Sequence, residues 1–306
     1  MAPPLLGIVG PTASGKSELA MAVAGRLPVE IVVADSRQVY RGMDVGTAKP
    51  SRETRASVPH HLLDLAEPGE PFTVAQWVAR AREVIPEIAA RGRVPLLVGG
   101  TGLYVAALVE GHDYAGQAWD PQLRARLAAA LEADGLEPLV ERLSTIAPHV
   151  ADAIDAENPR RVLRALERVE SGGGEPRRDP YPGRVSLIGL ERPRTVLYRR
   201  IDERAAWLFA NGLLEEVRAL MNAGYGPELG PMTGHGYAEA MRYVAGESTL
   251  EESIEMTARR TRQYAKRQIT WFHRQARVQW MSVGDRPADD PEVVPEALRP
   301  FEAALA

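Results

Sequence analysis

The sequence predicts an α/β protein with a parallel sheet, into which an all-helical segment is inserted. Three observations carry this prediction. Apolar runs of strand length alternate with helical patterns from Leu5 to Glu110, the signature of parallel strands joined by helical crossovers. Pro121 to about Glu170 then reads as helical throughout, with no strand pattern. Finally, Val185–Leu190 resumes a buried strand, so the helical stretch interrupts a single sheet domain. Residues 1–116 and 184–306 are therefore expected to form the core with its C-terminal helices, and 117–183 the insertion domain.

Element by element, Leu5–Val9 is a short apolar strand that enters a Gly-bearing loop and then the helical pattern of Glu18–Leu27. Val29–Ala34 is β-branched, ends in Asp35 and reads as a second buried strand. Phe72–Arg91 reads as a helix kinked at Pro86. Val94–Val98 is a third strand, running into Gly99-Gly100-Thr101-Gly102 and a helix from Leu103. A polar link is expected at 111–120 and a loop of chain-breakers at 171–183. Two long helices are expected at Val196–Ala223 and Tyr237–Phe272, and beyond Asp285 a loosely packed acidic tail.

Composition narrows the function. The 306 residues carry a net charge of −4, 45% hydrophobic and 25% charged residues, as in an average globular protein. With no cysteine there is no disulfide framework, thiolate zinc site or cysteine nucleophile. The proline-broken start is no signal peptide, and no apolar run reaches the roughly 18 residues of a membrane span. A cytoplasmic enzyme that is monomeric and has no membrane partner is expected. The six histidines (60, 61, 112, 149, 235 and 273) show no metal-ligand spacing.

The basic residues are 34 arginines and only three lysines, Lys16, Lys49 and Lys266. Lys differs from Arg where a compact, flexible point charge is needed instead of a planar fork. Lys16 has such a reason. Gly10-Pro11-Thr12-Ala13-Ser14-Gly15-Lys16-Ser17 matches the phosphate-loop pattern, with a strand before it and a helix after it. The backbone N–H groups of such a loop turn inward around phosphate oxygens, and the helix N-terminus adds its dipole. Gly10, Thr12, Ala13, Ser14, Gly15, Lys16 and Ser17 are thus candidate diphosphate-binding residues, with the Ser17 hydroxyl a ligand for Mg²⁺. The expected architecture is accordingly a P-loop-type parallel sheet.

No acid follows the third strand, whereas Asp35 ends the second, 18 residues past Ser17. That arrangement suits a small-molecule or nucleotide kinase, or a transferase with a diphosphate donor. Asp35 stands at the sheet edge where α/β proteins bind ligands, and is a candidate general base as well as a plausible turn residue. Gln38 offers an amide to an adenine edge, and the Thr101 hydroxyl either stabilises a developing oxyanion or caps the following helix.

Arg259, Arg260, Arg262, Lys266, Arg267, Arg274 and Arg277 share a stretch with no acid between Glu255 and Asp285. The cations cover more than one side of a helix, and Tyr264, Trp271, Phe272 and Trp280 interleave with them, a pattern of RNA contact. The smaller stripe of Arg160, Arg164 and Arg168 is balanced by glutamates and reads as a solvated face.

Taken together, the phosphate loop, Asp35-Ser36 to Lys49-Pro50, His60-His61-Leu62-Leu63-Asp64, Val98–Tyr104, Asn158–Glu167 and Arg262–Phe272 resemble the bacterial tRNA dimethylallyltransferase family, the tRNA isopentenyltransferases. The resemblance implies transfer of a dimethylallyl group from dimethylallyl diphosphate to N6 of the adenosine 3′ of the anticodon, with Mg²⁺, on the tRNA anticodon stem-loop. It implies that Asp35 is the base, that Thr101 hydrogen-bonds the leaving or bridging oxygen, and that Lys16 and an Arg, best matched by Arg204, clamp the diphosphate. It also implies tRNA contacts by Asp35, Ser36, Arg37, Gln38, Thr101, Arg124, Pro159, Arg160, Arg161, Val162, Leu163, Arg262, Lys266 and Arg267. The chain matches the shorter bacterial form, without the C-terminal zinc finger of eukaryotic relatives, and His235 stands where the family usually has an aliphatic residue.

Overall fold

The computed structural model describes residues 2–111, 120–172, 178–275 and 277–306. Most of the expected polar link at 111–120, His112 included, and the middle of the expected breaker loop at 171–183 lie outside these residues. The chain forms two compact units, Met1–Glu110 with Pro180–Ala306, and Gly111–Asp179.

In the first unit, β1 (Leu5–Val9), β2 (Val29–Ala34) and β4 (Val94–Gly99) are nearly continuous apolar runs, because both sheet faces are covered by helices. Together with β3 (His60–His61), β5 (Val185–Glu191) and β6 (Val278–Ser282) they form, among the described residues, one six-stranded sheet of order β3-β2-β4-β1-β5-β6. All its pairings are parallel. The helix α1 (Lys16–Ala24) packs Leu19 and Val23 on one face with Leu6, Ile8, Leu96 and Phe301. The opposite face is covered in part by α3 (Val74–Ala90) and α4 (Gly102–Val109), through Trp77, Ile85 and Tyr104. Between them the short α2 (Arg52–Ser57) starts at a Ser51 cap. Thr73 and Gln76 form a capping box that starts α3 two residues later than the apolar pattern indicates.

The second unit is a small bundle of α5 (Pro121–Asp134), α6 (Glu137–Ile146), α7 (Pro148–Ala153) and α8 (Pro159–Glu170). Leu127, Leu143, Val162 and Leu166 lie at its centre. The continuous helical pattern of the sequence is thus broken at Gly135, Ala147 and Asn158, each just before or at a proline-led restart.

Four expectations for the C-terminal part change. Val196–Ala223 is two helices, α9 (Arg194–Ala210) and α10 (Leu213–Asn222), separated at Gly212 with φ 100°. Tyr237–Phe272 divides into α11 (Tyr237–Val244) and α12 (Leu250–His273), the latter opened by a Thr249–Glu252 capping box. At Gly212 an apolar period (Phe209, Leu213, Val217) continues across the break and hides it, whereas the second break is marked locally by Gly246 and the Thr249 cap. The strand β6, unexpected from sequence, follows α12 at the sheet edge. The expected loose tail is also an ordered helix, α13 (Val293–Leu305), with Val293, Ala297 and Phe301 buried beside α1. Pro295 falls in its first turn, where a missing N–H leaves no helical bond unmade. No described helix is long and apolar enough to cross a membrane.

Candidate active site

Register places three loops at one level of the sheet. Val9 aligns with Gly99 and Ala34 aligns with Gly99, so β1, β4 and β2 end in a single row. The phosphate loop leaves β1, Thr101 follows β4, and Asp35 follows β2. Because β4 lies between the other two, Thr101 stands between the phosphate loop and the carboxylate. The ends of β1 and β2 are two strand spacings apart, about 10 Å. That gap is the width of a small reacting group held between its leaving group and its acceptor.

The phosphate loop keeps its shape through long-range contacts. Gly15 begins α1 with φ 101°, where a side chain is strained and a Cβ would lie 2.6 Å from the Ala288 Cβ. Arg192 Nε donates to the Ser14 carbonyl at 2.7 Å, and Arg200 Nε to the Ala13 carbonyl at 3.0 Å. With those carbonyls held by the arginines, the amides on the opposite sides of the same peptide planes turn the other way. Arg192 is itself buried, and its guanidinium also reaches the Gly284 and Arg286 carbonyls. Lys16 Nζ donates to the Pro11 carbonyl at 2.6 Å. Burial lowers its pKa to about 7; Asp35 acts to raise it, and Arg204 lowers it further. Arg204 is likewise depressed by burial, with Asp35 opposing. Lys16, Asp35 and Arg204 thus belong to one electrostatic group. Of the neighbouring arginines, Arg200 braces the loop and pairs with Glu18, and Arg199 pairs with Asp285.

Asp35 is a turn residue with a free oxygen. Its Oδ1 accepts from the Arg37 amide at 2.8 Å and the Gln38 amide at 3.4 Å, while Oδ2 accepts no hydrogen bond among the described residues. Thr101 stands at the N-cap position of α4, yet its side chain caps nothing. Instead Thr101 Oγ1 accepts from the Ser36 amide at 3.0 Å, and it faces the Tyr264 phenol of α12. Burial, and then the charge of Asp35, push the Tyr264 phenol up to about 12, so it is neutral. Tyr264 also meets His235, whose buried Nε2 has no partner among the described residues and whose pKa burial lowers to about 4. Arg192 carries no local motif that marks it as a site residue.

Several expectations change here. The Gln38 amide donates to the Thr47 and Ala48 carbonyls at 3.0 and 3.3 Å, which removes its donor for a two-point adenine contact. Arg37 donates to the Gly230 carbonyl. Lys49, which had no role from sequence, is buried and contacts the Tyr40 carbonyl at 2.5 Å, Asp44 at 2.7 Å and Asp64 at 2.6 Å. The His60–His61 pair is a strand, not a loop, and His61 Nε2 lies 2.7 Å from Glu30, itself paired with Arg91.

The basic helix is not wholly unpaired. Acids on other helices supply partners: Arg262 pairs with Asp202 of α9, and Arg260 with Glu239 of α11. Arg262 therefore has an acidic partner of its own. Lys266, Arg267 and Arg274 have no acidic partner among the described residues, and with Gln263, Thr270 and Trp271 they line a groove of about 430 Å³. In the helical unit, Asn158 caps α8 through the Arg160 and Arg161 amides, leaving Pro159, Arg160 and Arg161 exposed. Leu163 is half-buried, and Val162 is fully buried in the bundle core, so its side chain cannot meet RNA as expected. Arg124 makes a two-point contact with Glu167.

A phosphate loop, a carboxylate with a free oxygen across from it and a hydroxyl between the two define a group-transfer enzyme with a phosphorylated donor. The model of the IPP transferase family matches residues 38–275, and that of isopentenyl transferase residues 4–64. The tRNA dimethylallyltransferase of Pelotomaculum thermopropionicum is 42% identical, over 99% of this chain and 98% of its own. That of Anaeromyxobacter dehalogenans is 47% identical, over 95% and 97%. The crystal structure of the tRNA isopentenylpyrophosphate transferase from Bacillus halodurans matches with a TM-score of 0.74 and 40% identity, over 99% of this chain and 96% of that one. The chain belongs to the tRNA dimethylallyltransferase (IPP transferase) family.

Proposed function

We propose that the protein transfers a dimethylallyl group from dimethylallyl diphosphate to N6 of the adenosine 3′ of the anticodon in tRNA. The observation that carries the reading is the row of three loops, with Asp35 and the phosphate loop on either side of Thr101. The diphosphate sits in the loop of Gly10–Ser17, against Lys16 and Arg204. The adenine amine lies beside Asp35 Oδ2, with the allylic carbon in the gap between. The bond from that carbon to the diphosphate oxygen breaks as the bond from N6 forms, and the N6 proton passes to Asp35. The amine is a weak nucleophile, so the electrostatic demand falls on the leaving group, where Lys16, Arg204 and the loop amides stand. Thr101 donates to the departing oxygen while Ser36 and Tyr264 hold it.

Ser17 is exposed in the first turn of α1, its hydroxyl free of hydrogen bonds among the described residues. No cluster of three His, Cys, Asp or Glu gathers among those residues to hold a metal. One oxygen ligand beside a diphosphate fits Mg²⁺, which keeps waters and phosphate oxygens in its shell. When bound, Mg²⁺ neutralises charge on the leaving group; Ser17 is the residue that would hold it. The groove of Lys266, Arg267 and Arg274 takes the anticodon stem-loop, and in the helical unit the exposed Pro159–Arg161 start of α8 is a tRNA contact of its own. The protein acts as a monomer in the cytoplasm, where its tRNA substrate is found.

Incubation with unmodified tRNA, dimethylallyl diphosphate and Mg²⁺, followed by nucleoside mass spectrometry, is expected to reveal prenylated adenosine. Absence of product with the wild-type protein refutes the reading, and phosphoryl transfer from ATP to a small acceptor favours a kinase instead. Asp35→Asn keeps the acceptor for the Arg37 amide and is expected to lose about 100-fold in kcat with tRNA affinity unchanged.

A further inference from the structure

The loop that binds the leaving group and the loop that carries Thr101 are joined by one side chain from the far end of the sequence. Gln268, on α12, is 6% exposed. Its Oε1 accepts from the Thr12 amide at 2.8 Å, and its Nε2 donates to the Gly100 carbonyl at 2.9 Å. Both ends of the amide are therefore matched to backbone groups of fixed polarity, and only one orientation of the amide satisfies them. Space is matched as well: a Cβ on Gly100 would fall 2.4 Å from Nε2 and 3.3 Å from the Gly10 carbonyl, so the two loops touch there. Two residues away, a Cβ on Gly102 would strike the Trp271 indole at 2.1 Å. Three residues of one helix face, Tyr264, Gln268 and Trp271, thus bear on Thr101, Gly100 and Gly102.

Thr101 is tied in turn to the carboxylate loop, through its own amide on the Ala34 carbonyl at 3.1 Å and its hydroxyl on the Ser36 amide. A continuous chain of contacts runs from Thr12 through Gln268, Gly100 and Thr101 to Ser36 and Asp35. We infer that Gln268 is a positioning residue that sets the gap between the diphosphate loop and the Thr101–Asp35 pair. It touches no substrate. It acts by holding Thr12 and Gly100 at one separation, and hence the donor carbon at one distance from the acceptor amine. The Thr12 amide is correspondingly a structural donor and does not serve a phosphate oxygen. The inference rests on the proposed prenyl transfer, because the gap matters only if the two loops carry the two reactants.

The test uses three variants of the full-length protein, assayed for prenyl transfer to tRNA. Gln268→Met keeps the length and removes both hydrogen bonds; kcat is expected to fall about tenfold or more while the Kd for tRNA stays within about twofold. Gln268→Glu supplies the acceptor for Thr12 but donates to Gly100 only when its carboxyl is protonated. Its kcat relative to wild type is therefore expected to rise as pH falls from 8.5 to 6, while that of Gln268→Met stays flat. Gly100→Ala, which displaces the amide, is expected to lose kcat as Gln268→Met does, and replaces it should that variant fail to fold. A wild-type kcat for Gln268→Met or Gly100→Ala, or a pH profile for Gln268→Glu parallel to wild type, overturns the inference. An inactive wild-type protein refutes instead the proposed function itself.

Discussion

Thr101 stands where a helix cap belongs and gives its hydroxyl to Ser36 on the neighbouring loop instead. A capping threonine and a catalytic one make opposite predictions. Because no cap is lost, Thr101→Ala should change stability by only about 1 kcal/mol, by chemical denaturation, since the Ser36 amide and hydroxyl lose a partner and no helical bond is broken. It should lower kcat about 100-fold, and Thr101→Ser should restore most of the rate.

The Lys16 ammonium makes donor affinity depend on pH. In the free protein burial brings its pKa to about 7, and a bound diphosphate anion raises it again. A proton is then taken up on binding whenever the pH exceeds that value. Affinity for dimethylallyl diphosphate is therefore full below pH 7 and falls above it, by at most about tenfold per unit. Calorimetric titration from pH 6 to 9 should show this fall, and Lys16→Met should bind weakly with the Lys16 component of the slope gone.

Lys49 holds the irregular segment behind Asp35, with its side chain 1% exposed between Asp44 and Asp64. Although burial acts to raise the Asp64 pKa, contacts from Lys49 and Arg55 outweigh it and hold it down. Lys49→Met should cost about 2–3 kcal/mol in urea unfolding, as it leaves Asp44 without its cation, Asp64 with Arg55 alone and the Tyr40 carbonyl without its donor. Lys49→Arg should not rescue it, because a planar fork does not fit three acceptors around one nitrogen.

The basic residues of α12 should separate in a salt titration. Lys266 is exposed and without an acidic partner among the described residues, whereas Arg262 is bound to Asp202. Lys266→Gln should reduce the slope of log affinity for tRNA against log salt by about 0.7–1. Arg262→Gln should leave that slope close to wild type.

What could be read in the sequence was what is local in it. The phosphate loop spans eight consecutive residues, and its strand, glycines, lysine and helix are all adjacent. The apolar runs of β1, β2, β4 and β5 announce buried parallel strands for the same reason. The partners of these elements were less legible. The break at Gly212 was masked by continuing periodicity, and α13 was masked by its prolines. The stretch of α12 lacks acids, but Asp202 and Glu239 reach it from other helices, which no count along that stretch could show.

Sequence by itself determined the α/β class, the phosphate loop, the carboxylate at the end of β2 and the basic character of α12. Tertiary structure decided which groups meet. Strand order sets Thr101 between Asp35 and the phosphate loop, and Gln268 reaches Thr12 across 256 residues of chain. It likewise gave Lys49 its three acceptors, paired Arg262 with Asp202 and buried the Val162 side chain in the helical bundle. The physical reason is that backbone propensity and apolar period act over a few residues, whereas hydrogen bonds and ion pairs depend only on distance in space.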